Sequence, residues 1–145
     1  MPETADIPSL CAYLTFAGNC REAMVFYQQC LGGTLSFVTL SDSPVADRLP
    51  ANAGKYVLLA QLKHSMLTLM ATDIVPDEGL VHGNAVSLYL QCNNLQQMEQ
   101  LYTTLSQGGT QNDPIHQTFF GEWFGNLTDR FGIHWLLYHA ASTQQ

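Results

Sequence analysis

The sequence predicts an α+β fold made of two tandem βαβββ units, and three observations lead there. A strand-like run, a polar cap, an amphipathic helix and a Gly-Gly stop occur twice. Tyr13-Leu14 matches Tyr89-Leu90, Asn19 matches Asn94, and Gly32-Gly33 matches Gly108-Gly109, each about 75 residues apart. Three strand candidates follow each helix. The last quarter, Gln117 to Trp135, crowds Phe119, Phe120, Trp123, Phe124, Phe131 and Trp135 among three glycines. An aromatic hairpin of that kind is unstable alone in water and must belong to a larger sheet.

In unit one, taken as residues 9–73, Leu10 to Phe16 has the length and the β-branched and aromatic content of a strand. Asn19 is placed to cap the following helix, with Glu22 three positions on as in a capping box, and Ala23, Met24, Phe26, Tyr27, Cys30 and Leu31 form its apolar stripe. Gly32-Gly33 ends it, because glycine accepts the left-handed conformation of a helix terminus. Strands are expected at Thr34 to Leu40, Tyr56 to Leu62 and Met66 to Ala71. Unit two, residues 84–140, repeats the plan. Ala85 to Cys92 is its first strand, and Asn94 caps a helix striped by Leu95, Met98, Leu101, Tyr102 and Leu105. Strands are then expected at Thr110 to Ile115, Trp123 to Thr128 and Ile133 to His139. Ser41 to Lys55 is long and polar enough for a lid, and Asp73 to Gly83 links the halves.

Composition removes several function classes. Five basic residues against twelve acidic ones give a net charge of -7, which repels phosphate backbones, so nucleic acid and anionic membrane are not expected partners. No apolar run reaches the roughly 18 residues of a membrane span, and the expectation is a soluble cytoplasmic protein. Cys11, Cys20, Cys30 and Cys92 form no Cys-x-x-Cys pair and read as buried free thiols.

The run from Tyr13 through Asn19-Cys20-Arg21-Glu22-Ala23-Met24 to Tyr27, with the duplicated unit, resembles the vicinal oxygen chelate superfamily of glyoxalase I, bleomycin-resistance proteins and extradiol dioxygenases. Thr118-Phe119-Phe120-Gly121, Phe124-Gly125 and Thr128-Asp129-Arg130-Phe131-Gly132-Ile133-His134-Trp135 are similar to the motifs of its PhnB-like branch. Phe120 stands where that branch commonly has tryptophan, and Trp123 where it commonly has a basic residue. The resemblance implies one glyoxalase-like domain over residues 1–145, an eight-stranded half-closed cup with helices outside, and a homodimer.

In catalytic members of the superfamily a divalent metal is held from the first and last strands of each unit. Those positions here fall at Ala12, at Ser87 or Leu88, at Thr68 or Met70, and at Leu136. One hydroxyl and three apolar side chains do not supply the imidazole, carboxylate or thiolate donors a divalent metal needs, so no metal and no other cofactor is expected. His64, His82, His116, His134 and His139 form no ligand-spaced pair and read as surface or turn residues. His116 and Glu122 flank the aromatic segment and are the candidate acid–base pair, because a carboxylate buried among aromatic rings has a raised pKa. Asp129 reads as an architectural acceptor in the turn it opens, and no glycine-rich adenosylmethionine loop is present.

The function expected is binding of a small, flat or aromatic molecule in a cup walled by Tyr13, Gln61, Phe119, Trp123, Phe124 and Trp135. The alternatives are a metal-independent lyase or isomerase using Glu122 or His116, and a metal-dependent glyoxalase-like enzyme with displaced ligands.

Overall fold

Residues 8–42, 44 and 55–140 are described by a computed structural model of the chain. Each run of alternating apolar residues forms a strand and each 3.6-residue stripe a helix. The order is β1 (Ala12–Thr15), α1 (Cys20–Leu31), β2 (Thr34–Thr39), β3 (Val57–His64), β4 (Leu67–Thr72), β5 (Leu88–Gln91), α2 (Leu95–Leu105), β6 (Thr110–Gln117), β7 (Trp123–Thr128) and β8 (His134–His139). The chain therefore has the glyoxalase/bleomycin-resistance α+β architecture, two βαβββ units with a four-stranded sheet each, ordered β1-β4-β3-β2 and β5-β8-β7-β6. The first strand of each unit pairs parallel with the last, and the remaining pairs are antiparallel. Both first strands are shorter than their apolar runs, because pairing begins only at Ala12 with Leu69 and at Leu88 with Trp135. Most of the expected lid, Ser41 to Lys55, lies outside the described residues. Among the described residues no helix is long and apolar enough to cross a membrane.

In the first unit, Leu35, Leu62 and Leu69 share a row with Ala12 on the face toward the core. Helix α1 covers that face, with the Arg21 guanidinium 4.3 Å from the centre of the Phe37 ring. Close approach explains the Gly-Gly stop. Gly33 has φ +106°, and a Cβ there would stand 2.6 Å from His64 Cβ and 2.7 Å from Lys63 O. In the second unit α2 packs on β7 and β8, burying Met98, Tyr102 and Leu105 with Leu127, Trp135 and Leu137. Gly109 is the matching contact, since a Cβ would run into the Thr128 carbonyl.

The two helix caps differ. Asn94 acts as expected: its Oδ1 accepts from Gln97 N at 2.8 Å, and Gln97 Oε1 accepts from Asn93 N at 2.7 Å. Asn19 does not cap, because its backbone at φ -114°, ψ 25° lacks the extended conformation a cap requires, and its side chain makes no cap hydrogen bond. Asp73, read from sequence as the start of a linker, takes that role. Buried beyond β4, it accepts from Gly18 N and Cys20 N on Oδ1, each at 2.9 Å, and from Val57 N on Oδ2 at 2.9 Å.

The cysteines are all free. Cys20 and Cys92 are buried and Cys30 is half-buried, whereas Cys11 is exposed, in contrast to the expectation of four buried thiols. Burial, reinforced by the charge of Asp73 and opposed by Arg21, pushes the Cys20 thiol up to about 12.

Removing the Asp73 carboxylate leaves three backbone N–H groups without their acceptor. Asp73→Ala is expected to lower the unfolding free energy by about 3 kcal/mol in urea titrations; a loss below about 0.5 kcal/mol would show that water replaces the carboxylate freely.

Candidate ligand-binding face of the second unit

Strand alternation gives the second sheet two faces. The face turned from Leu127, Trp135 and Leu137 carries Phe124, Asn126 and Thr128 from β7, His134, Leu136 and Tyr138 from β8, and Tyr89 and Gln91 from β5. Register aligns them in rows: Asn126 with Leu136 and Tyr89, Phe124 with Tyr138 and Gln91, and Thr128 with His134. His116 of the edge strand β6 stands opposite Phe124.

One end of this face is polar. A half-open cavity of about 260 Å³ is lined there by Ser87, Asn112, Asn126, Thr128, His134 and Leu136, among others. His134 Nε2 lies 2.9 Å from the Gly83 carbonyl and therefore carries a hydrogen. Its Nδ1 is 2.8 Å from Thr128 Oγ1, which is in turn 2.8 Å from Asn112 Oδ1. Thr128 thus sits between His134 and Asn112, and Leu136 adds an apolar side chain to the polar lining.

The other end is aromatic and acidic. The Tyr89 and Tyr138 rings lie 5.8 Å apart between centres at an interplanar angle of 32°, and Tyr89 is 57% exposed. Glu122 is half-buried just before β7, where its Oε1 accepts from Thr118 Oγ1 at 3.0 Å. Alternation along the chain puts Glu122 on the side of Phe124, whose register partner is Tyr138. The turn holding Glu122 is closed by Thr118 N to Glu122 O at 2.7 Å, Gly121 N to Thr118 O at 3.0 Å and Gln117 Nε2 to Gly121 O at 3.0 Å. Burial first, then the negative charge of Glu122, raises the phenol of Tyr138, and the same two causes raise that of Tyr89.

The residues singled out in the sequence fall in several places. Phe124, His116 and Glu122 are at or beside this face, but His116 and Glu122 have different partners. His116 Nε2 meets Asp113 Oδ2 at 3.2 Å, and its ring approaches Phe124 edge-on at 6.2 Å. Tyr13 and Gln61 sit together in the first unit, in one open-face row with Met70 and Ser36. Phe119, 95% exposed, stacks edge-on against Phe120 at the hairpin tip. The expected lining role of Trp135 is corrected: it is 1% exposed, and its indole N–H donates to Asp129 Oδ2 at 2.8 Å, which makes it a core residue. Trp123 alternates with Phe124 and so shares the side of Leu127. Tyr89, Asn126, Thr128, His134 and Tyr138 were missed. Counting by twos from Phe124 and from Leu136 finds most of them, but the register that brings them together is not written in any one strand.

The positions compared with the superfamily's metal ligands also shift. Ala12 and Leu88 stand in core-facing rows with Leu69 and Trp135, so the open-face residues beside the last strands are Tyr13 and Tyr89. Each unit then offers a phenol, a carboxamide and an apolar side chain: Tyr13, Gln61 and Met70 in one, Tyr89, Asn126 and Leu136 in the other. These do not fit a divalent metal centre. Among the described residues no three His, Cys, Asp or Glu side chains gather as a ligand set.

A family model described as 3-demethylubiquinone-9 3-methyltransferase matches residues 8–138. The chain belongs to this PhnB-like family. Protein PA1353 from Pseudomonas aeruginosa is 34% identical, with a TM-score of 0.82 over 94% of this chain and 100% of that one. A putative 3-demethylubiquinone-9 3-methyltransferase, PhnB protein, from Bacillus cereus is 23% identical, with a TM-score of 0.70 over 92% of this chain and 100% of that one. Protein YjdN of Escherichia coli is 26% identical over 136 residues, 88% of this chain and 92% of its own length. This PhnB-like chain also shares its fold with a glyoxalase/bleomycin resistance protein from Albidiferax ferrireducens, at 17% identity and a TM-score of 0.57 over 90% of this chain and 98% of that one.

Because the Glu122 charge disfavours ionisation of both phenols, Glu122→Gln is expected to lower the titration midpoint of two of the six tyrosines. Absorbance at the tyrosinate band during alkaline titration reads this directly. An unchanged curve would place Glu122 away from both hydroxyls.

Proposed function

We propose that this PhnB-like chain is a small-molecule binding protein that holds its ligand on the open face of the second sheet without the superfamily's metal. The observation carrying this reading is the half-open cavity of about 260 Å³, lined by the apolar Leu136 together with the polar Asn126, Thr128 and His134. Binding sites combine an apolar surface with a few oriented polar groups, and their volumes run from roughly 300 to 1,000 Å³. A cavity just below that range suits a small ligand carrying hydrogen-bonding groups. The methyltransferase of the family description is a statement about that family, and the side chains gathered here support recognition.

A fragment screen by protein NMR, including planar aromatics and 2-oxoaldehydes, is expected to yield ligands that shift Asn126, Thr128 and His134. His134→Ala should weaken the best of them by about tenfold, the value of one oriented hydrogen bond. If no fragment reaches these resonances, or if every hit binds elsewhere with unchanged affinity in the variant, the reading is wrong.

The same proposal includes a homodimer. Val38 and Val86, together with the stacked Phe119 and Phe120 at 95% and 77% exposure, leave apolar surface that a second copy would cover. Sedimentation equilibrium at micromolar concentration should report twice the chain mass, and a single-chain mass would remove this part of the proposal.

A further inference from the structure

The aromatic end of the same face has a feature that the polar cavity does not need. Glu122 is half-buried and held by the hydroxyl of Thr118, a neutral group. Among the described residues no lysine, arginine or histidine is seen in an ion pair with it, and His116 pairs instead with Asp113. A carboxylate partly withdrawn from water lacks some of its hydration, and attraction to a cation is stronger where water is reduced. Beside it stand Tyr89 and Tyr138, tilted toward one another at 32° with centres 5.8 Å apart, and Tyr89 remains 57% exposed. Aromatic faces attract cations through their quadrupole, and pairs of such rings select weakly hydrated organic ammonium groups over small, strongly hydrated ions. The turn carrying Glu122 is closed by three further hydrogen bonds, so the carboxylate is positioned before any ligand arrives.

We infer that Tyr89, Tyr138 and Glu122 form a subsite for an organic ammonium group, so that the ligand of this face is an amine or quaternary ammonium compound. The inference rests on the second sheet's open face being a ligand surface, and it adds the charge and chemical class of what binds there. The carboxylate supplies the counter-charge, the two rings supply the cation-attracting wall, and Phe124, in the same row as Tyr138, extends the apolar surface for the rest of the molecule. The ligand's hydrogen-bonding groups then point across the neighbouring rows toward Asn126 and His134.

Choline and its neutral isostere 3,3-dimethylbutan-1-ol separate charge from shape, and each is titrated into the full chain by NMR. Choline is expected to shift Tyr89, Tyr138 and Phe124 saturably, with the isostere at least about tenfold weaker. Glu122→Gln and, separately, Tyr89→Leu should each weaken choline by a similar factor, and added salt should weaken it in the wild type but not in Glu122→Gln. Equal affinity for choline and isostere, or choline binding unchanged in Glu122→Gln, would overturn the subsite. If choline shifts none of the three aromatic residues while fragments still bind beside Asn126 and His134, the ammonium subsite falls and the ligand-binding face stands. If neither end binds anything, both fall.

Discussion

The second unit depends on the carboxylate of Asp129. Its Oδ1 accepts from Phe131 N at 2.9 Å and Ile133 N at 3.1 Å, and its Oδ2 accepts from the Trp135 indole at 2.8 Å. The backbone closes the same turn through Asp129 N to Ile133 O and Gly132 N to Asp129 O. One buried side chain thus fixes the length of the β7–β8 connection and anchors the first large core residue beyond it. Side chains alternate along a strand, so a slip of one residue would turn Trp135 and Leu137 outward and bury Leu136 and Tyr138. Asp129 therefore decides which residues form a core and which form a surface able to meet a ligand.

The first unit solves the corresponding problem at another place in its repeat. Asp73 follows β4 and ties the entry to α1 to the start of β3. By the register of the parallel strand pairs, the equivalent residue in the second unit is His139, whose Nδ1 lies 3.1 Å from Cys92 O. The shared backbone closure is retained, Phe16 N to Thr72 O at 2.9 Å and Cys92 N to Tyr138 O at 2.7 Å. A carboxylate accepting backbone N–H groups in one copy has become an imidazole donating to a backbone carbonyl in the other. With that carboxylate absent from the second copy, α2 relies on its own Asn94 and Gln97, whereas α1 takes its acceptor from Asp73 across the unit.

The open faces show what the duplication kept. Tyr13 corresponds to Tyr89, Gln61 to Asn126 and Met70 to Leu136, and in neither unit do these provide metal ligands. A face with carboxamides and hydroxyls at one end and a charged, ring-lined corner at the other is suited to orienting a polar organic molecule. The charge balance of the chain agrees, because acidic residues outnumber basic ones by twelve to five, which favours a cationic ligand over an anionic one.

The sequence alone determined the order and type of the strands and α-helices, because hydrophobic period and Gly-Gly stops are local signals that recur in both halves. It also determined the family, since the closing aromatic segment is continuous in the chain. It misplaced what depends on partners distant in sequence. Trp135 resembled a binding residue until Asp129 and the core claimed it, Asn19 resembled a cap until Asp73 supplied the carboxylate, and Ala12 and Leu88 were compared with metal ligands until register put them in the core-facing rows. His134, Thr128, Tyr89 and Tyr138 are unremarkable as letters. Tertiary structure gave them meaning, because a surface site is made where side chains from several strands meet in register, and that register is set by hydrogen bonds between residues whose proximity the linear chain does not record.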